Sequence, residues 1–430
     1  MNHIEEKIHD YVGLAKNNVG IDPALFQTYD VKRGLRNKNG TGVLVGLTSI
    51  GSVHGYIIDE NEKVDVEGVL RYRGVDVYDI VAACEREDRF GFEETAFLLL
   101  FGVLPTKEQL RDFCGFLSEL RALPPNFTED SILKFPSKDI MNKLARSVLT
   151  LYSEDERADD TSYLNVFRQS MELIARFPVI IAQAYQAKRH YFDGESLFLH
   201  QCVPEYSTAE NFLHMLRQDN KFTHEEAKLL DLCLILHAEH GGGNNSAFTT
   251  HVVSSTGTDT YSAIAAAVCS LKGPKHGGAN SKVMGMMKEI KKNVKDWKDE
   301  DEIKTYLKRI LNKEAFDGSG LIYGMGHAVY TLSDPRAVLL KKNAGSLAKI
   351  KGCTDEFDLY CMIERLTPEL YREFKNTTKP ISPNVDFYSG FVYSMLNISP
   401  ELYTPLFAMS RIVGWCAHHI EEIAYGGKIM

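Results

Sequence analysis

Four short segments carry side chains able to move protons or hold anions, each set among glycines and apolar residues. His240 lies in Leu236-His237-Ala238-Glu239-His240-Gly241-Gly242-Gly243-Asn244-Asn245, where an apolar helix breaks at glycines that let backbone approach a ligand. The pattern reads as an anion- or carbonyl-binding histidine, as a metal set with Glu239, or as a helix C-cap, where imidazole favours the negative end of the dipole. His276 lies in Gly273-Pro274-Lys275-His276-Gly277-Gly278-Ala279-Asn280, before a helix with Val283, Met287 and Ile290 on its apolar face. The positive helix N-terminus disfavours imidazolium and leaves a neutral ring that donates one hydrogen bond, useful where an enolate oxygen develops. An ordinary turn histidine is the plain alternative. His327 lies in Gly324-Met325-Gly326-His327-Ala328-Val329-Tyr330, followed by Asp334-Pro335-Arg336. Its alternating glycines expose amides that could cradle an anion or a long ligand. No strand precedes the G-x-G, as a dinucleotide fingerprint needs. Arg336 could hold a carboxylate in a bidentate fork, or form a helix-surface ion pair.

Asp386, in Pro383-Asn384-Val385-Asp386-Phe387-Tyr388-Ser389-Gly390, is read as sitting between apolar residues in a turn before a helix. A partly desolvated carboxylate has a raised pKa and works as a general base. The alternative is an N-cap aspartate, although Ser389 could cap the helix equally well. Arg411 stands in the stretch from Leu406 to Trp415, apolar nearly all round, and a buried guanidinium there needs a partner anion.

The elements that must position these groups read as mostly α, with a small N-terminal β element. The first forty residues mix a short amphipathic helix with a basic segment ending Asn37-Lys38-Asn39-Gly40-Thr41-Gly42. Val43 to Ile58 reads as β, Asp59 to Glu62 as a turn, and Val64 to Tyr72 as a second strand. Helices are predicted over Phe92–Gly102, Asp159–Gln186, Glu225–Leu236, Tyr261–Leu271, Lys282–Lys292, Glu300–Leu311, Asp334–Ala348, Asp355–Phe374, Phe391–Leu396 and Tyr403–Tyr425. Pro178 should kink or end the second of these. Leu104-Pro105-Thr106 caps a further helix start.

At 430 residues the chain exceeds one ordinary core. A net charge of −9 argues against bulk nucleic-acid binding but leaves room for a local anion site. The longest apolar stretch, Phe97 to Leu104, is far short of the ~20 residues of a membrane span. The polar, acidic N-terminus is unlike a signal peptide. Eight scattered cysteines form no C-x-x-C pair, which reads as reduced thiols in a cytoplasmic protein.

In order, a His before a Gly/Asn turn, G-P-x-H-G-x-A-N, G-x-G-H-x-V with D-P-R after it, N-V-D-x-x-S-G and an Arg on an apolar C-terminal helix resemble the citrate synthase family. Tyr72-Arg73-Gly74 and Phe92-Glu93-Glu94 with Leu98-Leu99-Leu100-Phe101-Gly102 extend the likeness from about residue 40 to the end. The resemblance implies a two-lobed, largely helical homodimer. Residues 1–276 with 391–430 would form the large domain, and 277–390 the small one. It implies condensation of acetyl-CoA with oxaloacetate and water to citrate and CoA. Asp386 would take the acyl α-proton, His276 would support the enol, and His327 would polarise the 2-oxo carbonyl. His240, Arg336 and Arg411 would hold the dicarboxylate. Leu321, Ile322, Gly324, Gly326 and Asn384 would line the CoA site. No metal or other cofactor is implied.

Two positions depart from the family pattern. Where members carry a basic residue four positions after the third histidine, this chain has Thr331, for which Lys341 or Lys342 could substitute. Members also continue past the last helix with an Arg-Pro segment, whereas this chain ends Gly426-Gly427-Lys428-Ile429-Met430. Three other functions compete. A 2-methylcitrate synthase would use propionyl-CoA with the same residues. A metallohydrolase built on His237, Glu239 and His240 lacks the H-E-x-x-H spacing. A catalytically inactive binding homologue would not need the acid/base set.

Overall fold

The computed structural model describes residues 7–8, 11–12, 21–37, 41–60, 62–376 and 378–430. The chain divides into two units, residues 1–47 and 48–430. The first contains a short helix α1, Pro23–Thr28, started by Asp22, whose carboxylate accepts the Ala24 amide at 2.9 Å. The amphipathic helix expected in the first forty residues falls largely outside the described residues, as do Lys38, Asn39, Gly40 and Asn61 of the predicted basic segment and turn.

The second unit opens with an antiparallel sheet of β1 (Gly51–Asp59), β2 (Glu62–Tyr72) and the two-residue β3 (Val75–Asp76), in that order. The strand predicted to begin at Val43 begins only at Gly51. Val43–Ile50 pairs with no strand among the described residues; Val43 donates its amide to the Leu35 carbonyl and the Ile50 carbonyl accepts from Arg73, each at 2.9 Å, but such single bonds make no ladder. Glycines in this hairpin admit a later loop. A Cβ at Gly55 would lie 2.5 Å from the Val329 carbonyl oxygen, and one at Gly68 would collide with the Ser333 carbonyl. Gly68 also donates its amide to Ser333 Oγ at 3.2 Å. The hairpin is thus a seat for the segment that follows His327.

Helices make up the rest. They are α2 (Val77–Arg86), α3 (Phe92–Phe101), α4 (Lys107–Leu120), α5 (Ile140–Ser153), α6 (Tyr163–Asp193), α7 (Thr208–Leu216), α8 (His224–His237) and α9 (Asn245–Ser254). There follow α10 (Thr260–Lys272), α11 (Ala279–Asn293), α12 (Glu300–Leu311), α13 (Pro335–Lys351), α14 (Thr354–Lys375), α15 (Val385–Met395) and α16 (Tyr403–Tyr425). Reciprocal capping boxes start α4 (Thr106 with Gln109), α7 (Ser207 with Glu210) and α8 (Thr223 with Glu226). Gly102 and Gly194 close α3 and α6 in left-handed conformation.

Pro178 does not end its helix. α6 runs on for fifteen residues beyond it to Asp193, although proline costs a helix interior ~3 kcal/mol. Its neighbours Phe177, Val179, Ile180 and Ile181 are all buried, and α6 packs along α16, so tertiary burial offsets the local penalty. α16 is the hub of the unit. It is apolar nearly all round and touches α3, α6, α8, α9 and α10.

Candidate active site

Helix α8 ends at His237, and the chain passes through Ala238 and Glu239 to His240. These residues diverge. His237 stacks on Phe407 at 4.5 Å between ring centroids. Glu239 turns the other way, and its Oε1 accepts from His418 Nε2 at 3.0 Å. His240 meets the edge of His327 at 5.2 Å and of Tyr330 at 5.4 Å. His237, Glu239 and His240 therefore share no ligand point, and the metallohydrolase reading loses its site.

His327 is fixed by its own loop. Its Nδ1 accepts the amides of Val329 at 3.0 Å and Tyr330 at 3.1 Å, and its ring stacks on Tyr330 at 4.8 Å. With Nδ1 accepting, the bonding assigns the hydrogen of the neutral ring to Nε2. The glycines ahead of it pair with the segment that carries Asp386. Gly326 donates to the Ser382 carbonyl at 2.7 Å, and Asn384 donates to the Gly324 carbonyl at 2.8 Å. Asn384 Nδ2 donates to the Gly326 carbonyl at 2.9 Å, while its Oδ1 accepts the Asp386 amide at 3.0 Å.

That last bond corrects the sequence reading. Asn384 is the N-cap of α15, so Asp386 lies in the helix's first turn rather than in a turn before it. Ser389 is no cap; its Oγ accepts from Asn280 Nδ2 at 2.7 Å. Burial raises the Asp386 carboxyl to about 6; Arg336 opposes this and Asp334 adds to it. Gly324 and Gly326 adopt φ of 81° and 95°. Gly324→Ala should lower the melting temperature through ~1–3 kcal/mol of strain. Its Cβ would lie 2.8 Å from the Phe387 ring. An unchanged melt would show that the loop can shift at no cost.

Arg336 is buried and forks onto Asp334, Nε to Oδ1 at 3.0 Å and Nη2 to Oδ2 at 2.7 Å. The same carboxylate N-caps α13. The ion pair of the plain reading exists, but in the interior and not on a helix surface. Arg411 is fully buried, with its Nε donating to the His237 carbonyl at 2.7 Å and its guanidinium 4.8 Å from the Phe407 ring. Its Nη1 and Nη2 have no hydrogen-bond partner among the described residues. Burial pushes this guanidinium down to about 10. Burial and then Arg336 hold both His237 and His240 well below the ordinary imidazole range, so both are neutral.

His276 precedes α11, whose buried face includes Val283, Met287 and Ile290 as predicted. Its pKa falls to about 4, first through burial and then through Arg411. The neutral ring is as expected, although the cause is burial and a nearby cation and not the helix dipole. Its Nε2 lies 3.2 Å from Ser246 Oγ, which also receives the Trp415 indole N–H at 3.0 Å. Ser246 has one proton and two acceptors in reach, His276 Nε2 and Asn244 Oδ1 at 2.9 Å.

His240 thus meets His327 directly, and the charges of Arg336 and Arg411 both act on His240. Asp386 and His276 adjoin them electrostatically, through Arg336 and Arg411 respectively. Of the remaining predicted residues, Leu321 is exposed and Ile322 is core. Lys341 and Lys342 are engaged with Glu364 at 2.6 Å and Glu85 at 2.7 Å, and Thr331 is buried. Sequence reasoning missed Tyr330, Asp334, Ser246 and Trp415 as supports. Trp415 follows Arg411 by four residues, the helical spacing that places two side chains on one face.

A long apolar C-terminal helix holding an arginine whose terminal nitrogens have no partner among the described residues, with three glycine-borne histidines and a desolvated aspartate, defines an α-helical enzyme for an anionic carbonyl substrate. Residues 39–430 match the family described as citrate synthase, C-terminal domain, and the chain belongs to the citrate synthase family. It is 36% identical over 358 residues to citrate synthase of Deinococcus radiodurans, covering 83% of this chain and 86% of that one. It is 31% identical to 2-methylcitrate synthase 1 of Corynebacterium glutamicum, covering 91% of each. Among solved structures, a ternary complex of Thermoplasma acidophilum citrate synthase with carboxymethyl coenzyme A and oxaloacetate superposes with a TM-score of 0.75. Its identity is 26%, covering 93% of this chain and 94% of that one.

Proposed function

We propose that this chain condenses acetyl-CoA with oxaloacetate and water to give citrate and CoA. The carrying observation is Arg411, a fully buried cation whose two terminal nitrogens have no acceptor among the described residues. Leaving such a group unpaired is costly, and a substrate carboxylate offsets the cost. Arg411 and His240, with Arg336 beside them, bind the dicarboxylate. His327 Nε2–H donates to its 2-oxo carbonyl.

Asp386 removes the acyl α-proton, helped by a pKa near the working pH. Ser246 turns its proton to His276 Nε2, so the ring hydrogen sits on Nδ1 and donates to the thioester oxygen as the enol forms. The enol carbon attacks the polarised carbonyl, and water then cleaves the thioester. Each step uses side chains of the chain itself.

The acyl-CoA lies along Leu321, Ile322, Gly324, Gly326 and Asn384. Two features support this: the positive-φ glycines of the loop, and an adjoining cavity of about 620 Å³ lined by Leu332, Lys341, Met362, Ile381 and Pro383. Residues 277–390 form the smaller domain and close on the segments bearing His240, His276 and Arg411. The division leaves His327, Arg336 and Asp386 on one side of the site and the other three on the opposite side. The enzyme works as a homodimer in the cytoplasm. All eight cysteines are free, in keeping with a reducing compartment, and among the described residues no helix is long and apolar enough to cross a membrane.

Likeness to a 2-methylcitrate synthase over 91% of the chain favours propionyl-CoA as a second substrate. One methylene is worth only ~1–3 kcal/mol of discrimination. Free thiol should appear when the enzyme meets acetyl-CoA and oxaloacetate together, and kcat/KM for acetyl-CoA should exceed that for propionyl-CoA. Absence of thiol with either acyl-CoA would sink the proposal. The reverse ranking would assign 2-methylcitrate synthesis.

A further inference from the structure

Behind the His240 loop, on the side away from the proposed substrates, two histidines face each other in an arrangement the reaction does not use. His251 on α9 and His418 on α16 bring Nε2 and Nδ1 to 2.9 Å. The far nitrogen of each ring is held by a carboxylate: His251 Nδ1 by Glu422 Oε2 at 2.9 Å, and His418 Nε2 by Glu239 Oε1 at 3.0 Å. A carboxylate only accepts, so each far nitrogen carries the ring hydrogen. The two facing nitrogens are then both bare lone pairs at hydrogen-bonding distance, which repel unless a cation lies between them.

A proton is one such cation. A metal ion is the other, and the surroundings suit it. Carboxylates behind ligating imidazoles orient the rings and raise their basicity. Glu421 supplies an oxygen. Its Oε1 is fixed by the Ser49 amide at 2.8 Å and Ser49 Oγ at 2.6 Å, and its Oε2 points to His418 Nδ1 at 4.0 Å. Thr48 Oγ1 donates to Glu421 Oε2 at 2.6 Å and lies 3.4 Å from His418 Nδ1. The candidate ligand atoms of His251, His418 and Glu421 all lie within 4.8 Å of one another, and no other such group occurs among the described residues.

We propose that His251 Nε2, His418 Nδ1 and a Glu421 carboxylate oxygen bind one divalent late first-row transition-metal ion. At a metal–nitrogen distance of ~2.05 Å the 2.9 Å separation subtends about 90°. That is the angle of tetragonal Ni²⁺ or Cu²⁺. Zn²⁺ in tetrahedral geometry needs the nitrogens about 3.3 Å apart, a small ring movement. The ion is structural. Gly242, two residues after His240, passes beside both rings, so the ion ties α9, α16 and the start of the sheet to the loop that carries His240.

The test uses the full chain, stripped with chelator and titrated separately with Ni²⁺, Zn²⁺ and Mg²⁺ by calorimetry. One Ni²⁺ or Zn²⁺ per chain should bind, Mg²⁺ should not, and the transition metal should raise the melting temperature. His251→Ala and His251→Gln should each lose that one equivalent. Equal stoichiometry in both variants would assign binding to surface histidines and overturn the proposal, as would no binding to the unsubstituted chain. Should both variants fail to fold, X-ray absorption on the Zn²⁺-loaded protein decides. Two imidazole nitrogens at ~2.0–2.1 Å support the site, and fewer overturn it.

Discussion

Asp386→Asn should cut kcat by ~10²–10⁴-fold while the protein stays folded. The amide nearly matches the carboxylate in shape but cannot accept the α-proton. The helix itself survives, because the α15 cap is Asn384 and not Asp386. Loss of a negative charge in the first turn removes only ~0.3–1 kcal/mol of dipole stabilisation. The pH profile gives a second readout. The base must be deprotonated to work, and burial raises its carboxyl to about 6. In the unsubstituted enzyme kcat/KM should therefore fall tenfold per pH unit below about pH 6 and level off above it. The residual activity of Asp386→Asn should lack that acid limb. Near-normal kcat in the variant, or an acid limb that persists, would remove Asp386 from the mechanism.

Arg411→Gln should weaken oxaloacetate binding by ~10²–10⁴-fold, on the basis of two charge-assisted hydrogen bonds at ~1.5–3 kcal/mol each. The KM for acetyl-CoA should change little. Thermal stability should hold, because the substitution removes a buried charge whose Nη1 and Nη2 have no acceptor among the described residues. A merely structural arginine would behave in the opposite way: the melt would collapse and the KM for oxaloacetate would stay put. The comparison with Arg336 sharpens the point. Arg336 is forked onto Asp334, so its removal strands a buried carboxylate and confounds folding with binding.

Much of the site was legible because its chemistry is written in short segments. The structure sets His240 against His327 and brings the charges of Arg336 and Arg411 to bear on His240. Local signals also worked where local physics decides: the Thr106 cap and the helices Glu300–Leu311 and Tyr403–Tyr425. They failed where partners decide. Val43–Ile50 had the composition of a strand but forms no ladder with any strand among the described residues. Asn245–Ser254 carried no helix prediction, yet it packs as one against α10 and α16. Asp386 was placed before its helix because the cap was sought at Ser389 or at Asp386 itself and not at Asn384. Hydrogen bonding of Asn384 to the Gly324–Gly326 loop, sixty residues away in sequence, settles the choice.

The sequence by itself determined the residue types, their order, the helical class and the family, since periodicity, glycine spacing and motif order are local properties of the chain. Only the tertiary structure decided which charges are paired and which are not. From the sequence, Arg336 and Arg411 are two arginines near apolar helix, equally able to hold a carboxylate. Folding gives Arg336 a carboxylate two residues away and leaves the terminal nitrogens of Arg411 without a hydrogen-bond acceptor among the described residues. The same holds for Glu239, which sits between two histidines in the chain but bonds to a third, His418, on α16. Burial, desolvation and the direction of a side chain depend on what packs against it, and that partner comes from far along the chain.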